Sequence, residues 1–597
     1  MMLPLFVIVP LVFGGFISLF MRGRSHIAGW TAFAFSIASL VLAAYEVLYS
    51  FGKAYSITWF AIGGLTVHIA LSIYALNAIL LMLVALVAPL IMLYSIGYMD
   101  VPSERPRFFF EISIFAASMM LFAVSANFIA MFIAWELLGI TSYLLIGFWY
   151  HREKAPYAAR KSITTILIGD MAMLSAIVLI WNSFHTFNFY SIMASPYINA
   201  IQIPLLLILA AVFTKSAQFP FHEWLADAME GPTPVSAFLH SSTMVKAGVF
   251  LVALLLPLFY EVHLLYVILA FGIATAFIGA TNAIAERHIK KILAYSTMED
   301  LGIMLVALGL HALLAAMLFF IVQTFYKALL FMSAGSIMKA NNNAENIYLI
   351  KGSTKNRLLF ISTLFGVGSI AGIFPLSGFF GKVAIDSVAS NIYVYILLTV
   401  IEFASSIYIF RWLFIPMRDP LTKGIDAELT AKYKNIPKTM LYAIAALALL
   451  VAIGAFAYIY IPLLPYASAF VSTAIPLHIS FVSALAETIA VMLGFSVSYY
   501  VYVRMNLKGM SSHRALHAVV YNSVAVNWAY SIIAKMFYEI GGIVNSFDYA
   551  LYWFIVMGGD GLVFISEKLR KIVNGQINTY AIAFAAGIVL LVIIIAV

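Results

Sequence analysis

The sequence predicts an all-α, polytopic membrane protein. Hydrophobic residues make up 64% of its 597 residues and charged residues only 10%, whereas soluble proteins carry about 25% charged residues. Many apolar runs exceed the roughly 20 residues that a helix needs to cross a bilayer. Lys and Arg residues concentrate in alternate loops between these runs. Together these features predict about 16 transmembrane helices with two inverted repeats containing broken helices, then a long lateral helix and a terminal anchor helix.

The apolar runs define the predicted spans. They lie near 2–20, 28–50, 71–98, 108–126, 128–149, 162–183, 203–226, 235–258, 264–284, 291–310, 312–338, 358–388, 391–415, 439–463, 480–503 and 578–597. Because the positive residues fall in loops on one side, the positive-inside rule places the N-terminus outside and those loops in the cytoplasm. The net charge of +8 therefore does not indicate nucleic-acid binding. We expect a multi-pass protein of a prokaryotic plasma membrane.

Six segments organise the predicted fold. They are N-terminal transmembrane helices (1–107), a first repeat (108–258), a second repeat (264–415), additional transmembrane helices (439–503), a lateral amphipathic helix (514–572) and a C-terminal anchor helix (578–597). The lateral segment is too polar to span a bilayer and too apolar to be a free loop. Polar residues recur at every fourth position from Ser523 to Glu539, which predicts a helix lying along the membrane or a partner. A pair of short re-entrant helices is the alternative.

Ionisable side chains recur inside the apolar runs. Lys215 lies in the run from Leu205 to Phe221, and a lysine at bilayer depth costs about 2.5–3.5 kcal/mol on insertion scales. The same argument applies to Glu136, Asp170, Lys246, Glu299, Asp300, Lys327 and Lys382. These groups must face each other, water or protein, an arrangement typical of proton relays. Structural alternatives are a helix-locking Glu136–Lys215 pair, structural roles for Asp170 and Lys246, and helix caps at the cytoplasmic interface for Glu299 and Asp300.

The inverted repeats are predicted from a short sequence match. Glu136-Leu-Leu-Gly-Ile resembles Glu299-Asp-Leu-Gly-Ile, and a lysine follows each copy at a similar distance, Lys215 in the first and Lys382 in the second. The two motifs lie on spans of opposite direction, as in the inverted repeats of transporters. A proline close to each lysine predicts that both of these helices are broken. Chance similarity within apolar sequence would also explain the match.

The residue types present exclude several classes of redox site. The chain has no cysteine, so it cannot hold a thiolate-ligated iron–sulfur cluster, a zinc–thiolate site or a disulfide. No histidine spacing suggests a haem, and no nucleotide-binding fingerprint is present. We therefore predict no cofactor and no metal on this chain. Several histidines lie near span ends or in loops and are expected to be solvated or interfacial: His222, His288, His311, His513 and His517.

Three long motifs resemble the antiporter-like subunits of respiratory complex I, the proton-translocating NADH:quinone oxidoreductase. They are WELLGITSYLLIGFW (135–149), KSAQFPFHEWLADAMEGPTPVSAFLH (215–240) and KILAYST (291–297). The resemblance is strong over residues 1 to 415 and architectural beyond them. Mrp-type cation/proton antiporters and membrane hydrogenases share the same core. The lateral helix followed by one anchoring span resembles the distal, largest subunit of complex I.

The resemblance implies roles for individual residues. Glu136 and Lys215 match a switchable ion pair in the family, and Asp170 matches an acidic modulator of that pair. His240 matches a histidine leading into the second half. Lys327 matches the central lysine of that half, and Lys382 matches the exit-side lysine of its broken helix.

Some positions depart from the family pattern. Gln323 and Phe319 stand where the family often has histidines, so water must carry more of the proton transfer there. Val383 replaces a common acid beside Lys382. Lys246 sits where the distal subunit often has a neutral residue.

The physical mechanism follows from burial and charge. Burial favours the neutral form of a lysine, and a nearby carboxylate favours the charged form. Moving Glu136 or Asp170 relative to Lys215 would therefore bind or release a proton. On this hypothesis Glu136 and Lys215 couple to a partner, while Lys246, Lys327 and Lys382 pass the proton across.

Two functions remain open at this point. The first is a proton-translocating subunit of a quinone oxidoreductase, with the iron–sulfur clusters, flavin and quinone in partner subunits and no redox site on this chain. Its partners would be other membrane subunits, especially a neighbouring antiporter-like subunit contacted by the lateral helix, together with lipids and protons. The second is a subunit of a Mrp-type Na⁺(K⁺)/H⁺ antiporter or of a membrane-bound hydrogenase. Lysines at the central positions repel cations and favour protons.

Overall fold

A computed structural model describes residues 4–62, 65–195, 198–417, 434–460 and 479–505, and scattered positions between 532 and 588. The chain divides into two compact units, 1–521 and 522–597. In the described part of the first unit, eleven helices are long and apolar enough to cross a membrane, and shorter apolar helices lie at Pro4–Phe20, Gln202–Lys215, Arg357–Ala371 and Lys438–Gly454. The predicted helical membrane fold is confirmed, while the count of sixteen spans stays a prediction.

The helices of the first unit follow the predicted spans closely. They are α1 Val9–Phe20, α2 Ser25–Tyr49, α3 Ala75–Tyr98, α4 Arg105–Val124, α5 Phe128–Ile146, α6 Lys154–Phe184, α7 Phe189–Met193, α8 Gln202–Lys215, α9 Glu223–Asp227, α10 Thr233–Ser241, α11 Met244–Leu254, α12 Leu256–Glu261, α13 Leu265–Ala285, α14 Ile289–Gly309, α15 Leu313–Ala340, α16 Arg357–Ala371, α17 Ser377–Asp386, α18 Ile392–Met417, α19 Lys438–Tyr460 and α20 Phe481–Ser498.

Side-chain caps fix several helix starts. Asn127, Asn188 and Asn356 each accept a hydrogen bond from a backbone N–H in the first turn of the helix that follows. These bonds satisfy donors that the start of a helix otherwise leaves unpaired. At the other end of α16, Gly372 adopts the left-handed conformation with φ of 81° and ends the helix.

A β-hairpin precedes α3 and was not predicted. Strands β1 Ala54–Ile62 and β2 Leu65–Ser72 pair antiparallel, with a register shift between Thr58 and Phe60. Its polar edge is tied to the bundle, because the Asn127 amide donates to the carbonyl of His68 at 2.6 Å. The hairpin therefore joins the loop before α5 to the segment before α3.

Within the described residues, three membrane spans are interrupted. The first breaks between α8 and α9, the second between α10 and α11, and the third between α16 and α17. The exposed backbone groups find protein partners, as they must inside a bilayer. Phe219 N–H donates to Thr275 Oγ1 at 3.0 Å, and Gly378 N–H donates to Ser369 Oγ at 2.9 Å. The breaks near Lys215 and Lys382 were predicted from the neighbouring prolines, and both are present.

The interrupted helices and their neighbours lie at the centre of the bundle. In the span Thr233–Leu254, which contains α10 and α11, 94% of the most apolar window is buried, whereas the value for α2 is 33%. The α13–α14 contact is close because glycines line it. A Cβ on Gly279 would lie 2.6 Å from the Glu299 backbone nitrogen. Small residues thus bring α14 and its two acidic residues deep into the bundle.

The predicted lateral and anchor helices fall in the second unit. Described positions there, from Ile532 to Lys568 and from Ile582 to Ile588, are helical. The continuity of the lateral helix, most of the predicted segment 514–572 and most of the anchor 578–597 lie outside the described residues.

Candidate functional site

Lys215 ends α8 at the first helix break. Its side chain is fully buried, and its Nζ donates to the carbonyl of Trp135 at 2.6 Å. The same Nζ lies 3.8 Å from Asp170 Oδ1 and 4.2 Å from the centroid of the Trp135 ring. The Trp135 indole N–H donates to Asp170 Oδ1 at 2.6 Å. The amine and the carboxylate are thus held by one tryptophan on α5.

The carboxylate of Glu136, which the resemblance matches to the ion-pair partner of Lys215, has no contact with that amine within 4.0 Å in the described structure. Within the described residues, Lys215 forms its ion pair below 4.0 Å with Asp170 and not with Glu136. Glu136 is half-buried on α5, next to the exposed Leu137 and one turn from Ile140, which is 52% exposed. It therefore lies near the outer face of the bundle, where an external contact can change its distance to Lys215.

The second helix break lies between His240 and Lys246. His240 is fully buried with its ring 4.8 Å from the Phe331 ring, and neither nitrogen has a hydrogen-bond partner among the described residues. Lys246 Nζ donates to Thr324 Oγ1 at 2.5 Å and to the Phe320 carbonyl at 2.6 Å. This lysine is therefore held by neutral oxygens, and its charge has no paired acid within 4.0 Å in the described chain.

The second half has its own buried ion pair. Lys327 Nζ on α15 lies 3.0 Å from Asp300 Oδ2 and donates to Ser296 Oγ at 2.6 Å. Tyr326 donates to the same Asp300 oxygen at 3.0 Å. All four side chains are buried. Like Lys215–Asp170, this pair joins a buried amine to a buried carboxylate. The side chain that donates to the acid is the Tyr326 hydroxyl here and the Trp135 indole in the first pair.

Glu299 lies beside Asp300 on α14 and has a separate partner. Ser405 on α18 donates a hydrogen bond to its Oε1. Both acids are buried in the interior of α14, which runs from Ile289 to Gly309. The alternative that they cap a helix at the cytoplasmic interface is therefore wrong.

Gln323 and Phe319 are also buried in this half. The Gln323 amide has no hydrogen-bond partner among the described residues. Phe319 packs against Gly381, since a Cβ on that glycine would lie 2.8 Å from the phenyl Cδ2. An apolar ring therefore stands next to the helix that carries Lys382.

Lys382 faces a group of acids that the sequence analysis did not single out. Its Nζ is 3.7 Å from Glu487 Oε1 on α20. Glu487, Asp386 on α17 and Glu402 on α18 each offer one carboxylate oxygen, and these oxygens lie within 4.8 Å of one another. All three acids are buried. Each stands inside or at the end of an apolar run, so the signal that identified Lys215 was present for them as well.

A surface network lies at the loop end of the first half. Asp227 pairs with Lys161 at 2.7 Å and with Lys291 at 3.6 Å, and His222 Nε2 lies 3.4 Å from Glu223 Oε1. His222 is 1% exposed, so the expectation that it is solvated or interfacial is wrong. Glu223 and Asp227 are the first and last residues of α9, the short helix that follows the break after Lys215.

Four buried lysines lie on helices that contact one another in succession. The helix α11 packs against α8 on one side and α14 on the other, and Lys246 on α11 is bonded to α15. The helix α15 in turn packs against α17. The lysines on α8, α11, α15 and α17 are Lys215, Lys246, Lys327 and Lys382. None of them points separately into lipid, because all four are at most 1% exposed.

Two protein families match parts of this chain. The family described as NADH:quinone oxidoreductase/Mrp antiporter, TM, matches residues 125–407. The family described as NADH-Ubiquinone oxidoreductase (complex I), chain 5 N-terminus, matches residues 59–109.

Individual relatives carry related names. NADH-quinone oxidoreductase subunit L of Buchnera aphidicola is 40% identical over 371 residues, which cover 60% of each chain. NAD(P)H-quinone oxidoreductase subunit 5 of the Paulinella chromatophora chromatophore is 39% identical over 368 residues, covering 58% of this chain and 54% of the relative. The chain thus spans between half and two thirds of the length of these relatives.

One solved structure shows the same fold. The structure of the Mrp complex from Dietzia sp. DQ12-45-1b matches with a TM-score of 0.73 at 22% identity, over 89% of this chain and 59% of that chain. This match shows that the bundle has a known fold. Over residues 59–109 and 125–407 the chain is similar to the antiporter-like membrane subunits of complex I and of Mrp antiporters.

Proposed function

We propose that this chain is a proton-translocating membrane subunit of a complex I-type quinone oxidoreductase. The observation that carries the proposal is the succession of fully buried amines, Lys215, Lys246, Lys327 and Lys382, on helices that touch one another. Three of these amines lie within 4.0 Å of a buried carboxylate on another helix. Such pairs change protonation when the distance between amine and acid changes.

The proposed cycle begins at the first pair. With Asp170 close, Lys215 holds a proton, because the carboxylate stabilises the ammonium. Moving Asp170 away, or drawing Glu136 towards a neighbouring subunit, removes that stabilisation and favours release to the next group. Lys246 has no acid within 4.0 Å in the described structure, so it holds the proton less firmly than the paired lysines and passes it on. Lys327 and Asp300 repeat the first arrangement, and Lys382 delivers the proton to the far side.

The driving force comes from outside the chain in this proposal. Redox chemistry takes place in companion subunits, which carry the iron–sulfur clusters, flavin and quinone. The half-buried Glu136 gives such a companion access to the first pair. The segment 514–572 is proposed to contact a neighbouring antiporter-like subunit as a lateral helix. The names of the relatives support this assignment, since they are subunits of NAD(P)H- and NADH-quinone oxidoreductases.

The orientation is part of the proposal. Loops rich in Lys and Arg, including 151–161 and 351–357, are placed in the cytoplasm of a prokaryotic cell, with the N-terminus outside. Protons would then enter near Asp227 and His222 and leave beyond Lys382.

A Mrp-type antiporter subunit is the second candidate, and the fold match to a Mrp complex is the observation in its favour. The two functions differ in what drives proton movement. The assembly is purified from native membranes, its companion proteins are identified, and it is reconstituted into sealed vesicles. The proposed function predicts proton uptake that starts with an electron donor and a quinone and needs no sodium or potassium gradient. Proton movement that responds to an imposed Na⁺ or K⁺ gradient and not to electron transfer would assign the chain to an antiporter.

A further inference from the structure

The acids near Lys382 carry more negative charge than the lysine can balance. Asp386, Glu402 and Glu487 come from three different helices, and none is more than 3% exposed. Their oxygens lie within 4.8 Å of one another. If all three were ionised, one buried ammonium would face three buried carboxylates. Like charges at this separation cannot all ionise inside a protein, so this group must hold protons or a cation.

Lys382 is aimed into the same group. Its Nζ has no hydrogen-bond partner among the described residues and is buried, 3.7 Å from Glu487 Oε1. Both oxygens of Glu487 likewise lack a hydrogen-bond partner there. A small side-chain rotation or one bridging water therefore connects the amine to the nearest acid. This is an independent sign that the acids act with the lysine and are not merely packed together.

The position of the group also fits a role after Lys382. Asp386 is one helical turn beyond Lys382 and ends α17. Glu402 lies on α18 and Glu487 lies on α20. Both helices begin at the end of the bundle opposite the Lys- and Arg-rich loops. The acids therefore stand between Lys382 and that end. Val383, beside Lys382 on α17, is apolar and cannot accept a proton.

We propose that Asp386, Glu402 and Glu487 form an exit-side proton acceptor that takes the proton from Lys382 and holds it before release. The proposal rests on the proposed proton-translocating function. In the transfer step the Lys382 ammonium loses one proton and becomes a neutral amine, while the Glu487 carboxylate gains it and becomes a carboxylic acid. The proton is then shared with Glu402 and Asp386 and leaves to water at the far side. Lys382 is protonated again from the Lys327 side.

Other titratable groups face the acceptor and set its charge. Glu299 and Asp300 approach from α14, and Lys382 and Asp386 belong to α17 itself. Tyr395 on α18 lies near all three acids. Protons suit the site better than a metal ion, because the Lys382 ammonium would repel a cation held by the same oxygens.

The test uses the assembled complex in sealed vesicles and three separate substitutions, Asp386→Asn, Glu402→Gln and Glu487→Gln. Each keeps the side-chain shape and removes one of the mutually repelling charges, so assembly is expected to persist. Glu46→Gln is the matched control, because Glu46 is also a buried acid without a hydrogen-bond partner in the described residues, on α2 away from this site. We expect each acceptor variant to lower donor-driven proton uptake at least about tenfold, and the control to retain it.

A vibrational measurement gives a second readout that needs no variant to pump. Infrared difference spectra of the working complex should show a carboxylic-acid carbonyl band that appears and disappears during turnover. The band should be lost in each acceptor variant that assembles and remain in the Glu46→Gln control. A wild-type complex without such a changing band would overturn the proposal, and so would acceptor variants with full proton uptake.

Three further outcomes separate the possible failures. Suppose that the wild-type complex shows no changing band but retains radioactive sodium or calcium, and that the variants lose this retention. The group is then a cation site and the acceptor proposal is wrong. If Lys215→Met abolishes uptake while the acceptor variants pump normally, only the acceptor fails. If Lys215→Met leaves uptake intact, the proposed function itself fails.

Discussion

Lys215 is paired with Asp170 across 3.8 Å. The two residues come from the break after α8 and from the middle of α6, and Trp135 on α5 bonds to both. Three helices thus meet at one buried charge pair. A shift of any of these helices changes the separation of amine and acid, which is the quantity that sets the protonation of the pair.

Removing the paired acid should impair proton uptake more than electron transfer. Asp170→Asn leaves the Lys215 ammonium buried without its carboxylate, and breaking one side of a buried pair costs about 3–5 kcal/mol. The lysine escapes this cost by releasing its proton, so it can no longer bind one at each turnover. We expect donor-driven vesicle acidification to fall at least about tenfold, measured with a pH-sensitive dye.

The control for Asp170→Asn is a surface pair. Asp100 lies 2.7 Å from Lys339 and is 75% exposed, and exposed pairs contribute about 0–1 kcal/mol. Asp100→Asn should therefore leave acidification unchanged. Equal effects of the two substitutions would show that Asp170 has no special role.

Lys246 should depend on its hydroxyl partner. Thr324→Val keeps the side-chain shape but removes the oxygen that accepts from Lys246 Nζ at 2.5 Å. A lost hydrogen bond to a charged group costs about 1.5–3 kcal/mol, which raises the cost of holding a proton on this lysine. Proton uptake should slow by about tenfold or more at saturating electron donor.

Thr281→Val provides the comparison for Thr324→Val. The Thr281 hydroxyl bonds only to the carbonyls of its own helix, at Phe277 and Ile278, in the described structure. Its removal should leave uptake rates within the error of the wild type. A pumping defect in Thr281→Val as large as that in Thr324→Val would contradict a specific role for the Lys246 bond.

The contact between α6 and α8 should tolerate no side chain at Gly169. A Cβ there would lie 1.9 Å from Thr214 Oγ1 and 2.8 Å from the Ala211 Cα. Gly169→Ala must therefore push α8 away from α6. Overpacking of this kind lowers folding stability by about 1–3 kcal/mol. The unfolding temperature of the purified complex should fall and the Lys215–Asp170 pair should separate. Gly23→Ala, which meets nothing within 4 Å, should change neither stability nor uptake.

A loop contact should make stability depend on acid pH. His288 Nε2 lies 3.2 Å from Glu345 Oε2, and this hydrogen bond lowers the pKa of Glu345 to about 2. The unfolded pKa is about 4.3, so the carboxylate contributes stability above that pH and the contribution disappears as pH falls towards 2. The melting temperatures of wild type and Glu345→Gln should therefore differ near neutral pH and converge below about pH 3. A difference that grows as pH falls would contradict the assignment.

The sequence was sufficient to identify most of the buried ionisable residues but not which of them are paired. Lys215 and Lys327 were identifiable because a charge in a long apolar run has few structural uses. The breaks near Lys215 and Lys382 followed from nearby prolines. Whether Lys215 contacts Asp170 or Glu136 depends on how each helix is rotated about its axis. The sequence does not determine that rotation, because the helices are apolar on most sides and carry charges on several faces.

The acids around Lys382 show a second limit. Glu487 stands more than a hundred residues after its lysine, beyond the part of the chain where the resemblance is strong. Its proximity to Lys382 results from the packing of α20 against α17 and α18. The β-hairpin at 54–72 was also missed, although its second strand, Leu65–Ser72, alternates apolar with polar or small residues, which is the pattern of a half-buried strand.

Proton uptake by vesicles carrying Lys215→Met tests the central claim most directly. Methionine keeps the length and the apolar stem of lysine but cannot bind a proton, and Lys53→Met, at an exposed lysine outside the bundle, controls for the loss of one positive charge. With quinone reduction monitored in the same vesicles, the account predicts that Lys215→Met assembles but translocates no protons, while Lys53→Met matches the wild type. Undiminished proton uptake per electron in Lys215→Met would contradict it.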